Sequence, residues 1–286
     1  MEIIMNLYSG SEKFGSTPEG AMEAAPGAKK EGNAVQAGAV KKDVPLEKDF
    51  LLPKTTVCKV CDGQFKTKAV KSGKARRLQP DRDLRPRFQY IDTLKYDVVS
   101  CPYCGYTALS RDFDKITPTQ AKLIREQICS KFHSVNEPET DTYSYDTAIN
   151  RYKLALLNTA VKRGKESEKA YICLKLAWLF RGKADTLSEE IPEEKEEKSK
   201  CQKDEETFYL QAYEGFSKAI SQELFPICGM DENTMDYLLA NMSYHFKKYE
   251  MASKFLANVL TSTNASRRMK DMALELKEDI VAQLKR

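Results

Sequence analysis

Two cysteine pairs carry the clearest chemistry in this 286-residue sequence, Cys58-Lys-Val-Cys61 and Cys101-Pro-Tyr-Cys104. Cysteines three apart can turn both sulfurs toward one ion from a tight loop. A glycine follows each pair, Gly63 one residue beyond Cys61 and Gly105 immediately after Cys104, and it permits the positive φ that such a turn needs. Four thiolates suit one tetrahedral zinc ion and close its shell, so the expected role is structural. A pair of redox dithiols is the less favoured alternative.

Basic and aromatic residues surround these pairs. From Lys54 to Lys95 twelve basic residues face four acidic ones. Lys71, Lys74, Arg76, Arg77, Arg82, Arg85 and Arg87 form the densest run, and Phe65, Phe88, Tyr90 and Tyr103 interleave with the stretch. Cations for phosphate and rings for stacking would make a nucleic-acid face; the alternatives are an acidic protein partner or a solvated surface.

The elements that must position this chemistry follow from pattern. Residues 1–8 form a short apolar head, either a docking helix or a disordered terminus. Residues 9–50, rich in Gly, Ala, Pro, Glu and Lys, read as a disordered linker. Residues 51–114 read as a zinc-ribbon-like β module, with alternating strands at 64–70 and 94–99, each beside one cysteine pair. From 115 onward the pattern is helical. Thr117-Pro118-Thr119-Gln120 is a capping-box start. Residues 185–206 are a charged insertion, either an exposed loop or a solvated helix extension. Residues 265–286 form an amphipathic capping helix, with Met269, Met272, Ala273, Leu276, Ile280 and Leu284 on one face.

Within 115–264 one spacing recurs: Ala148, Tyr152 and Ala155; Ala212, Phe216 and Ala219; Ala252, Leu256 and Val259. Small residues let a neighbouring helix approach and large ones fill the gap. The spacing resembles tetratricopeptide (TPR) helix pairs, the first of them degenerate, with an extra loop at Glu137-Pro138. By that register Leu174, Trp178, Arg181, Tyr237, Asn241, Tyr244 and His245 would line a concave partner-binding surface. The expected fold is mainly α, a small zinc-ribbon β module followed by TPR-like helices.

The sequence also resembles a bacterial family, Domain of Unknown Function 2225. The resemblance rests on the first cysteine pair, Phe65-Lys-Thr-Lys68, Lys71-Ser-Gly-Lys74, Asp83-Leu-Arg-Pro86, Leu94-Lys-Tyr-Asp-Val98 and Cys101-Pro-Tyr-Cys-Gly-Tyr106 with Ala108. It covers roughly residues 50–280. It supports zinc and helices and implies no reaction.

Composition removes several classes. No apolar run is long enough to cross a membrane, and the first residues lack the basic start of an export signal. Cytoplasmic thiols are therefore expected, with Cys129, Cys173, Cys201 and Cys228 as small buried hydrophobes. Net charge is +4, too balanced for a whole-chain polyanion binder. Phosphate-loop, nucleophile-elbow and dinucleotide signatures are missing, and only His133 and His245 offer imidazole. The sequence points to a non-catalytic cytoplasmic adaptor or scaffold that binds a protein or peptide. The alternatives are a nucleic-acid-associated factor and, less favoured, a thiol redox protein; no small-molecule substrate is evident.

Overall fold

The structure, a computed structural model, describes residues 44–133 and 140–285. The expected head at 1–8, most of the 9–50 linker and the Glu137-Pro138 loop lie outside the described residues.

The β module is two separate hairpins. Strands β1 (Leu51–Val57) and β2 (Gln64–Val70) pair antiparallel, Leu51 opposite Val70 and Val57 opposite Gln64. Alternation set β2 correctly: Phe65 and Thr67 are buried while Lys66 is exposed. In β1 only Leu51 is buried, which is why no alternating pattern marks it. Strands β3 (Val98–Ser100) and β4 (Thr107–Leu109) form the second hairpin. The strand expected at 94–99 is shorter than that. Thr93–Tyr96 is a 3-10 turn instead, capped by the Asp92 side chain accepting from the Leu94 N–H. The turn is held from outside by Glu47, which pairs with Lys95 at 2.7 Å and accepts the Tyr96 hydroxyl at 3.0 Å. Glu47 lies in a further 3-10 turn, Glu47–Phe50, whose Phe50 is buried. The boundary at 50 therefore moves back, because a carboxylate and a ring from the expected linker complete this packing.

Seven helices follow among the described residues: α1 (Pro118–Gln127), α2 (Tyr145–Val161), α3 (Glu166–Asp185), α4 (Pro192–Gln222), α5 (Glu232–His245), α6 (Tyr249–Thr261) and α7 (Arg267–Leu284). The Thr117 hydroxyl accepts from the Gln120 N–H while the Gln120 side chain accepts from Thr117, so the capping box forms as the sequence states it. Ser144, Asp231 and Ser266 cap α2, α5 and α7 one way only, each side chain accepting from a single first-turn N–H. The charged insertion resolves into a helix extension: α4 starts at Pro192 and its first turns are mostly exposed.

The recurring small–large–small positions are the packing surface. Ala148, Tyr152, Ala155, Ala212, Phe216, Ala219, Ala252, Leu256 and Val259 are all at most 1% exposed. Helix α3 packs along α4, α5 along α6, and α7 against both members of the last pair. On α7 only Ala273, Leu276 and Ile280 of the expected stripe are buried, while Leu284 at its end is exposed.

The face expected to be an open concave surface is largely occupied. Leu174, Trp178 and Tyr237 are buried, so they are core rather than contact residues. Over Trp178 the reason is a loop of the β module, Gln79–Arg87, that lies against the helices. Asp83, itself buried, accepts the Trp178 indole N–H at 2.9 Å and pairs with Arg181 at 2.8 Å. Burial works against the Arg181 charge, but Asp83 and Glu205 outweigh it and raise its pKa. Arg85 is also buried, bridging Asp92 at 3.2 Å and Asp185 at 3.6 Å. At the far end Arg82 pairs with Asp279 of α7 at 2.5 Å and Arg268 donates to Gln79.

Removing the shared acceptor tests this fastening. Asp83→Ala leaves a buried indole N–H and a largely desolvated guanidinium without that carboxylate, and should cost about 3 kcal/mol in urea unfolding at unchanged m-value. A loss below about 1 kcal/mol, the scale of an exposed pair, would show that the loop is not anchored there.

Candidate metal centre

Each cysteine pair is the turn of one hairpin. Residues 58–63 connect β1 to β2, and 101–106 connect β3 to β4. Both turns close the same way: Cys58 N–H donates to Gly63 O and Cys101 N–H to Tyr106 O, each at 2.9 Å. Asp62 N–H then donates to Cys58 O and Gly105 N–H to Cys101 O.

The residue just after each second cysteine takes the left-handed backbone. It is Gly105 (φ +73°) in the second turn but Asp62 (φ +58°) in the first, so Gly63 is not the positive-φ residue that its sequence position suggests. Aspartate tolerates that region better than most side chains. Gly63 serves a close approach instead: a Cβ there would sit 2.6 Å from the Tyr103 ring of the other turn. Gly105 carries both constraints, since a Cβ would also lie 2.4 Å from Phe132.

The four sulfurs meet. Cys58 and Cys104 Sγ are 3.7 Å apart, as are Cys61 and Cys101, and all four lie within 4.8 Å of one another. Ligands about 2.3 Å from a tetrahedral zinc are separated by about 3.8 Å, so the spacing fits such an ion. Backbone N–H groups support the thiolates, with Val60 N 3.4 Å from Cys58 Sγ. Thiol donation from Cys104 and Cys58 lowers the Cys101 pKa, which favours thiolate character within the cluster. Among the four, Cys61 alone is exposed.

Helices hold the cage from behind. Arg125 of α1 donates to Val60 O at 2.8 Å, reaching the first turn, and Asn158 of α2 donates to Gly105 O at 3.2 Å, reaching the second. Cys58, Cys101 and Cys104 pack with Phe65, Tyr106, Phe113 and Ile124 in one apolar cluster. Cys129, expected from sequence as a small buried hydrophobe, is half-buried and packs against this cluster; burial pushes its thiol up. Its nearness to the pairs arises because the chain turns back after α1, which spacing does not encode. Cys173 and Cys201 are buried as expected, while Cys228 is half-buried with its thiol on Ser167 O.

The other anticipated residues scatter. Lys71 and Lys74 both donate to Asp49 O, at 2.9 and 2.8 Å. Arg76 and Arg77 are exposed. Arg82, Arg85 and Arg87 leave the basic run to bind acidic residues of this chain, Arg87 taking Asp81 and Asp185. Of the anticipated partner surface, Arg181 is engaged with Asp83 and Glu205, while Asn241 and Tyr244 are half-buried. His245 is exposed and 2.6 Å from Glu206.

Fold and site together define a mainly α protein whose small β module carries a four-cysteine cluster able to hold a metal ion such as zinc. The chain belongs to the family Domain of Unknown Function 2225, described as an uncharacterized protein conserved in bacteria, whose model matches residues 51–280. No curated protein and no solved structure matches the chain.

The cage makes two separable demands. Cys101→Ser should abolish metal retention in a native mass spectrum, whereas Cys129→Ser should keep it. Gly105→Ala should keep all four sulfurs yet destabilise the protein by about 2–3 kcal/mol in denaturant unfolding, through the strained φ and the displaced Phe132. Neutral behaviour of Gly105→Ala would mean that Phe132 does not sit on the turn.

Proposed function

We propose that this protein is a non-catalytic, zinc-stabilised cytoplasmic adaptor that presents TPR-like helix pairs to a protein or peptide partner. The observation that carries the reading is the closed four-sulfur cage. Four thiolates satisfy tetrahedral zinc and leave no position for a reacting water, and the cage is tied by Arg125 and Asn158 to the first two helices. The ion then acts by holding the hairpins against the helical body. The nine buried small–large–small positions support the likeness to TPR pairs.

The partner surface is smaller than the sequence suggests. With Leu174, Trp178 and Tyr237 in the core, it centres on Asn241, Tyr244 and His245 at the C-terminal end of α5. A second reading, an acidic partner or nucleic acid at the β module, is favoured by Arg76 and Arg77, which are exposed beside exposed Leu78 and Tyr90.

Affinity capture with the zinc-loaded protein separates them. The adaptor reading expects a defined protein, retained after nuclease and lost with Tyr244→Ala plus His245→Ala while the helical circular dichroism is unchanged. The second expects capture that Arg76→Ala plus Arg77→Ala removes and that falls steeply with salt. Capture that survives both double substitutions would reject both surfaces.

A further inference from the structure

We propose that the cleft between the β module and the helices is a nucleotide-binding site. The cleft has a volume of about 780 Å³, within the size range of small-ligand sites, which favour the seam between two substructures. Its walls come from the first hairpin (Lys54, Thr67, Lys68), the loop beyond it (Arg77, Leu84, Phe88), α3 (Tyr171, Lys175, Trp178) and α5 (Thr234, Leu238).

Charge is the first argument. Four cations line the cleft against one carboxylate, Asp97, and that carboxylate is already engaged by Lys175 and by the Ser110 hydroxyl at 2.6 Å. Lys54, Lys68 and Arg77 are left without a carboxylate among the described residues; the Lys68 ammonium rests 4.6 Å over the Tyr143 ring instead. This contrasts with Arg82, Arg85, Arg87 and Arg181, each matched to an acid of this chain. An excess of three positive charges beside one cleft is what a phosphate chain would neutralise.

The aromatic walls are the second. The half-buried rings of Phe88 and Tyr171 line the same space, and the buried Trp178 borders it. A flat base can stack on such rings at about 1–3 kcal/mol per base, which separates a nucleotide from a bare polyphosphate. The site is independent of the partner surface at Tyr244 and His245, neither of which lines the cleft.

Trp178 is the sole tryptophan, so its fluorescence reports on occupancy. The zinc-loaded full chain is titrated with AMP, ATP, GTP and inorganic triphosphate. The expected result is a saturable fluorescence change with at least one nucleotide, about tenfold or more tighter than triphosphate. Lys54→Ala plus Arg77→Ala should weaken it about tenfold or more, with zinc content and unfolding midpoint unchanged. Arg76→Ala, next to Arg77 but outside the cleft, should leave it unaltered. No saturable change up to about 5 mM nucleotide, or triphosphate binding as tightly as the nucleotides, would overturn the proposal. So would equal weakening by Arg76→Ala, which would mark the effect as general surface charge.

Discussion

Four sulfurs drawn within 4.8 Å of one another join two hairpins that share no strand pairing. Everything in the β module depends on that junction. Two isolated two-stranded ribbons have little independent stability in water, and a module of this size cannot bury enough apolar surface on its own. The sulfur cage brings the turns together. Phe65 and Val99 from the hairpins then share one core with Ala121 and Ile124 of α1. The sulfur cluster and the helix packing share one core, so the cage is not a clip added to a finished domain.

The second dependence is electrostatic and runs the other way, from helices to β module. Asp83 is matched to an indole N–H and a guanidinium, and Arg85 to three carboxylates, Asp81, Asp92 and Asp185. Buried charges of this kind are tolerated only when each has a partner, so their main effect is to specify one seating of the loop rather than to add much net stability. That explains why a run of cations that looks uniform in sequence does two jobs. Its later arginines fasten the chain to itself, while its earlier members stay on the surface.

How much was legible in sequence divides along local and non-local lines. The knuckle spacing, the capping box at Thr117 and the Ala148, Ala212 and Ala252 spacings each encode their structure within a few residues, so they read directly. The fate of Trp178 does not. Its helical register shows which face it occupies, but not that Asp83, 95 residues earlier, covers that face. The same holds for Cys129, brought to Cys104 by the fold after α1, and for Lys95 and Tyr96, drawn out of a strand pattern by Glu47. Local backbone exchange was hidden too: Asp62 takes the turn conformation that Gly63 was expected to supply, because an adjacent position on the loop satisfies the same geometry.

The pairing of Arg82 with Asp279 spans 197 residues. On a ribosome adding about 5–20 residues each second, Arg82 emerges roughly 10–40 seconds before its partner has been made. The cysteine cage can assemble early, since Cys104 follows Cys58 closely, and the loop beside it meets its α3 partners once Trp178, 95 residues after Asp83, and Arg181 have been made, leaving Arg82 and Gln79 to wait for the last helix. The order of synthesis therefore seats the loop in two stages, first on α3 through Asp83 and then on α7 through Arg82.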